Sequence, residues 1–201
     1  MPRIVYYCAT TLDGYIAEAD DSIDWLTGYR GSFEDPAAEP IAGSYDRFYE
    51  GVGALVSGAT TYEWVLDHTD GGRDWPYAGK PCWVLSSRDL PKPEHPDADV
   101  RIVAADVAGL HDEMIAAAGQ RDLWVVGGGD VASQFADAGL LDEVRLTVVP
   151  VALAAGKPLF ERRLPGAPMQ LVGARAFDSG MVELRYEVPR RMAGGPPSRS
   201  E

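Results

Sequence analysis

The stretch LWVVGGGDVASQFAD, residues 123–137, constrains the fold more than any other part of the chain. An apolar run of strand composition turns through three consecutive glycines into a helical pattern. A run that is apolar on both faces suits a parallel strand, and parallel strands need crossover segments, usually helices. One glycine would make the turn; three leave a length of bare backbone that is costly to order. The same strand-to-helix order recurs along the chain. Strands are expected at 3–9 (RIVYYCA), 53–58 (GALVSG), 82–87 (CWVLSS), 100–106 (VRIVAAD), 123–129, 143–153 (EVRLTVVPVAL), 164–177 and 181–188. Helices are expected from about Ile41 to Gly51, over ATTYEWVL with Thr60 or Thr61 as its cap, over 107–119 and over 130–139, with Gly139 closing the last. Residues 11–25 and 27–40 read as loop, and Asp178-Ser179-Gly180 as a three-residue hairpin turn. This order predicts one three-layer α/β domain over residues 1–189. Its mixed, mostly parallel eight-stranded sheet would end in a C-terminal antiparallel hairpin. Residues 190–201, polar and rich in Pro and Gly, are expected to be disordered.

Charge narrows the partners. A net charge of −13 leaves no clustered Lys and Arg for a phosphate backbone, so no nucleic-acid partner is expected. No apolar run approaches the roughly 20 residues that span a bilayer, and the N-terminus lacks a signal-peptide pattern, so the expected location is the cytoplasm, with no membrane partner. Cys8 and Cys82 lie within apolar runs and read as buried, reduced thiols; His68, His95 and His111 are scattered, and no metal site is expected.

A glycine turn leading from a parallel strand into a helix exposes free N–H groups at the positive end of the helix dipole. Gly127, Gly128 and Gly129 thus read as a diphosphate cradle, the alternative being a tight packing turn. Gly127, Gly129 and Ala132 also satisfy G-x-G-x-x-A, but that fingerprint belongs at a first strand and needs an acidic residue at the end of the next one. Glu143 precedes its strand, so a standard Rossmann domain fits poorly. Two other strand ends carry matching chemistry. Gly58, Ala59, Thr60 and Thr61 open a second helix, and Ser86, Ser87 and Arg88 offer hydroxyls and a guanidinium suited to a 2′-phosphate.

The stretches CATTLDGYIA followed by DSIDW, ALVSGATTYE, YAGKPCWVLSS, LWVVGGGDVASQF and GLLDEVRLTVVPVALAAGKPLF occur here in an order that resembles the dihydrofolate reductase-like superfamily. Within it, the chain is similar to bacterial stand-alone proteins related to the reductase domain of the riboflavin-biosynthesis deaminase/reductase. The resemblance covers most of residues 4–160. It implies a three-layer dihydrofolate reductase-like fold that binds NADPH in an extended pose across strand ends. Ala9 and Ile16 would flank the nicotinamide. Gly58 to Thr61 and Gly127, Gly128, Gly129, Asp130, Val131 and Ala132 would hold the diphosphate, and Ser86, Ser87 and Arg88 the 2′-phosphate. The loop from Ile16 to Trp25 would be a flap, with Trp25, and Tyr49 on the first long helix, near substrate. Homodimers are common in this fold.

The chain departs from that pattern in three places. The acidic residue that binds the pterin ring in dihydrofolate reductases falls near Ala42; Asp46, one turn on, is the nearest catalytic candidate, or else a solvated carboxylate. Ala59 stands where a basic residue is usual, and ALAAGKPLF has alanines where relatives have glycine. Asp13 would orient substrate or water, or support its Asp-Gly turn. Trp25 is a pocket residue or a core aromatic. Arg162 and Arg163 would receive a substrate phosphate or remain solvated. Asp142 and Glu143 read as structural. The expectation is an NADPH-dependent reductase of a small heterocycle, of pterin, dihydrofolate or riboflavin-pathway aminopyrimidine type. The alternative is a non-catalytic nucleotide- or pterin-binding module of the same fold. The zinc motifs of the companion deaminase do not occur.

Overall fold

The structure, a computed structural model, describes residues 2–29, 41–164 and 166–189; the tail expected to be disordered, 190–201, lies outside them, as does most of 27–40. In chain order the elements are β1 (Ile4–Thr11), β2 (Tyr15–Ala17), α1 (Asp24–Thr27), α2 (Ile41–Glu50), β3 (Val52–Gly58), α3 (Ala59–Asp67), β4 (Pro81–Leu85) and β5 (Asp99–Val103). They continue with α4 (Val107–Ala118), β6 (Asp122–Gly127), α5 (Gly129–Asp137), β7 (Glu143–Val149), β8 (Lys157–Pro158), β9 (Gln170–Ala176) and β10 (Val182–Glu187).

Eight strands form one sheet in the order β5-β4-β3-β6-β1-β7-β10-β9. Neighbours from β5 to β7 pair in parallel, and β10 pairs antiparallel with both β7 and β9. This is the mostly parallel sheet with a terminal antiparallel hairpin that the sequence predicts. Alternation along β1 divides the core between two layers, because successive side chains leave opposite faces. Ile4 and Tyr6 pack with Met114 of α4 and Phe135 of α5, while Val5 and Tyr7 pack with Phe48 of α2 and Tyr62 of α3. The hairpin turns where expected: Gly180, at φ +85°, donates its N–H to Phe177 O at 2.9 Å, a left-handed position that favours glycine.

Several segments differ from expectation, among them Asp24–Thr27, which forms the short helix α1 where a loop is expected. Residues 15–17, read as loop, pair with Lys157 and Pro158 in a second, two-stranded sheet. Three residues carry too little periodicity to be read as a strand, and the partner lies far along the chain. β7 ends at Val149 because Pro150 offers no N–H to continue the ladder. The stretch from 164 contributes strand only from Gln170, where pairing with β10 begins. Among the described residues no helix is long and apolar enough to cross a membrane.

Candidate active site

The carboxyl ends of β1, β3 and β6 open into a cleft of about 610 Å³. Two helices begin at its wall. α3 starts after Gly58 and α5 after Gly128, and neither has a side-chain capping hydrogen bond. α4, which begins away from the cleft, is capped by Asp106, whose carboxylate accepts the Gly109 N–H at 2.7 Å. The two helix starts at the cleft therefore leave backbone donors for a ligand, and their dipoles favour an anion. Thr60 and Thr61, expected as caps, instead lie in the first turn of α3 and line the cleft. The peptide between Gly127 and Gly128 is cis. Gly129 sits so close to β8 that a Cβ there would stand 2.4 Å from Pro158 O and 2.9 Å from Leu159 O. That close approach accounts for the third glycine and brings Lys157 of β8 to the same wall.

Eleven of the candidate residues meet here: Ala9, Ile16, Gly58, Ala59, Thr60, Thr61, Gly127, Gly128, Gly129, Asp130 and Val131. Ala132 is fully buried behind them in the core. Ser86, Ser87 and Arg88 line a neighbouring depression at the end of β4, joined to the cleft wall through Leu85 and α3. Arg88 does not face open solvent alone. It donates two hydrogen bonds to Glu63 of α3, Nη1 to Oε1 at 3.0 Å and Nη2 to Oε2 at 2.6 Å.

Four candidates stand away from the cleft. Asp46 is exposed on α2, while its neighbour Tyr45 lines the cleft. Tyr49 stacks on Tyr45 with ring centroids 5.9 Å apart and donates its hydroxyl to Pro76 O at 3.1 Å. Trp25 packs with Val149, Phe177 and Met181 near the hairpin. Asp13 clamps the loop after β7: its carboxylate accepts the Thr11 hydroxyl at 2.6 Å, the Ala154 N–H at 2.7 Å and the Leu153 N–H at 3.1 Å. Those donors, the Thr11 hydroxyl foremost, hold its carboxyl below the usual range.

The end of the cleft away from the glycines is aromatic, and the sequence reading passed over it. Tyr7, Tyr45, Tyr77 and Trp124 line it. Trp124 is fixed by its indole N–H, which donates to Tyr7 O at 2.9 Å. Tyr45 and Tyr77 each stand edge-on to Trp124, at 5.9 and 5.7 Å between centroids. These residues come from β1, α2, β6 and the loop before β4, and only the tertiary fold gathers them. Behind the wall the Tyr7 hydroxyl meets Thr147 Oγ1 at 3.3 Å, and the buried Glu183 accepts the Ser44 hydroxyl at 2.6 Å. Of the cysteines, Cys82 is buried and Cys8 lies at the cleft; both are free, and burial pushes both thiols up to about 12.

The junction residues read as structural are so. Asp142 accepts the Ile4 N–H at 2.9 Å. Glu143, only 1% exposed, is enclosed by Arg3, Arg145 and Arg185 at 2.7, 3.1 and 3.1 Å.

The chain has relatives among known proteins. It is 32% identical over 185 residues to the uncharacterised protein YwjB of Bacillus subtilis (strain 168), covering 92% of this chain and 97% of that one. It superposes with a TM-score of 0.72 on a candidate riboflavin biosynthesis protein from Shewanella sp. PV-4, at 26% identity over 92% and 98% of the two chains. A pyrimidine reductase-like protein from Corynebacterium diphtheriae shares the fold at a TM-score of 0.59 and 16% identity, covering 94% and 92%. The fold is thus of the dihydrofolate reductase-like, reductase type expected from the sequence. The family model of the RibD C-terminal domain matches residues 2–183, and the chain belongs to that family.

Proposed function

We propose that the protein is an NADPH-dependent reductase that transfers a hydride to a small heterocycle of pterin, dihydrofolate or riboflavin-pathway aminopyrimidine type. The observation that carries this reading is the convergence of two helix N-termini, both without side-chain caps, and the Gly127–Gly129 backbone on one cleft. Bare N–H groups at dipole ends fit a diphosphate. Family membership supports the cofactor, since RibD reductase domains generally use NADPH.

A bound NADPH would supply the hydride, and the acceptor would also take one proton from water. The chain's own part is positioning and exclusion of water. Ala9 and Ile16 would flank the nicotinamide, and the uncapped starts of α3 and α5 would take the diphosphate. Lys157 is the one cation among the described cleft-lining residues and would add charge there. Its present partner is Asp21 of the flap, at 3.3 Å. Ser86 and Arg88 would meet the 2′-phosphate once Arg88 turns from Glu63. That surface pair is worth about 0–1 kcal/mol, a small barrier to exchange. Ile23 of the flap and Leu26 of α1 also line the cleft and would shield the reacting ring from water.

A second reading, a binding module without turnover, is favoured by the outward position of Asp46, which leaves the cleft without that carboxylate. Exposed Leu171 and Val172 on the edge strand β9 support a homodimer in either case. The test is a tryptophan-fluorescence titration with NADPH and with NADH, followed by an acceptor screen at 340 nm. Micromolar NADPH binding with acceptor-dependent oxidation supports the reductase. Binding without oxidation supports the module, and no binding of either nucleotide sinks both.

A further inference from the structure

Resting on the reductase reading, we infer that the acceptor is an uncharged, planar heterocycle bearing no phosphate, held at the aromatic end of the cleft through the Tyr45 and Tyr77 phenols. Two independent features of this site lead there. The first is what the walls offer. Tyr7 and Trp124 present aromatic surface, which suits the faces or edges of a flat ring. The hydroxyls of Tyr7 and Tyr49 are already engaged, by Thr147 and by Pro76 O. Those of Tyr45 and Tyr77 have no hydrogen-bond partner among the described residues, and neither is a fully buried orphan, so they can serve ring nitrogens or carbonyls. Burial, and secondarily the neighbouring tyrosines, push Tyr45 up to about 12 and Tyr77 well above its ordinary value. Both remain neutral phenols at any working pH, able to donate and to accept.

The second feature is charge. The described lining residues include one cation, Lys157, at the glycine end, and three carboxylates, Asp21, Asp130 and Glu161. Among the described residues that line the aromatic end there is no guanidinium or ammonium for a phosphate to meet. Arg145 lies 5.6 Å from the Tyr7 ring and Lys80 4.6 Å from that of Tyr49, but neither lines the cleft, and Glu183 is buried behind that wall. An anion placed so is desolvated without a partner, an expensive arrangement. Arg162, a sequence candidate for a substrate phosphate, is held by Asp130 at 2.9 Å and Asp137 at 2.7 Å. Together with Arg163 it lines a different depression. The riboflavin-pathway acceptor with its ribose phosphate therefore fits this cleft less well than the same ring without it.

The test is isothermal titration calorimetry with a matched pair of probes: a ribosylaminopyrimidine and its 5′-phosphate. Each is titrated into the protein, alone and saturated with NADP⁺. The unphosphorylated probe is expected to bind at least about tenfold tighter, with little change between about 50 and 500 mM salt, because no ion pair forms. A Tyr45→Phe/Tyr77→Phe variant keeps both rings and loses only the hydroxyls. It should fold, bind NADPH like wild type, and lose about tenfold or more of its affinity for the unphosphorylated probe. Three outcomes would overturn the inference: equal or tighter binding of the phosphate with steep salt dependence, unchanged affinity in the double variant, or no binding of either probe. Failure of NADPH to bind in the parallel titration would instead remove the reductase reading, whatever the probes do.

Discussion

Gly129→Ala is the substitution that best separates a glycine needed by the fold from one needed by a ligand. The new Cβ would stand 2.4 Å from Pro158 O and 2.9 Å from Leu159 O. The first contact is about 1 Å inside the roughly 3.5 Å at which non-bonded carbon atoms begin to sit comfortably. The obstacle is backbone of β8 and the residue after it, held by pairing with β2 and by the Leu159 N–H, which donates to Gly14 O at 2.9 Å. No rotamer change relieves it. Overpacking of this kind costs about 1–3 kcal/mol, and rigid backbone places this case near 3. For a chain of this size that is a fall in melting temperature of about 6–12 °C. Gly58→Ala is the internal comparison, since its Cβ meets Val131 Cγ2 at 3.3 Å, the end of a side chain that can turn aside. It should cost less than about 1 kcal/mol. Urea unfolding of the three proteins, followed by NADPH titration of each, measures both effects. If Gly129→Ala falls within about 0.5 kcal/mol of wild type, the packing argument for the third glycine is wrong.

Other outcomes follow from the charges. Glu143→Gln strands Arg3, Arg145 and Arg185, and breaking a buried pair costs about 3–5 kcal/mol. Because Arg3 and Arg185 are 44% and 36% exposed and can rehydrate, the loss should lie near about 3 kcal/mol in chemical denaturation. Burial raises the Glu143 carboxyl, but the hydrogen bonds and charge of Arg185, then of Arg145 and Arg3, outweigh it and leave it below the ordinary 4.5. Its contribution is therefore fully present above that pH and lost as pH falls through the depressed value, a loss that Glu143→Gln should not show in an acid titration of stability. Glu63→Gln, which frees Arg88, should tighten NADPH by up to about fivefold and leave NADH unchanged, whereas Arg88→Ala should weaken NADPH alone by about tenfold. Lys157→Met should instead weaken NADPH, NADH and ADP alike and spare adenosine; a loss confined to NADPH would contradict its place at the diphosphate.

The sequence determined the α/β class, the parallel sheet and its closing hairpin, because periodicity and turn chemistry are local signals. Apolar runs mark strands, glycines mark turns into helices, and Gly180 marks the last hairpin. It also marked the turns proposed to hold a diphosphate, since Gly127–Gly129 and Gly58 announce exposed backbone within a few residues. Only the tertiary structure decided the rest. Residues 15–17 became a strand because a distant segment pairs with them. Asp13 turned out to clamp the loop after β7, Arg88 to be engaged by Glu63, and Trp25 to face the hairpin instead of the cleft. The aromatic end was illegible for the same reason. Tyr7 and Trp124 lie in apolar strand runs, Tyr45 in a helical pattern and Tyr77 in a loop stretch, and their common surface exists only once sheet order and helix packing bring β1, α2, β6 and the loop before β4 together. Local backbone chemistry can be read along a chain, but a binding surface assembled from four separate segments is a property of distances that the sequence does not state.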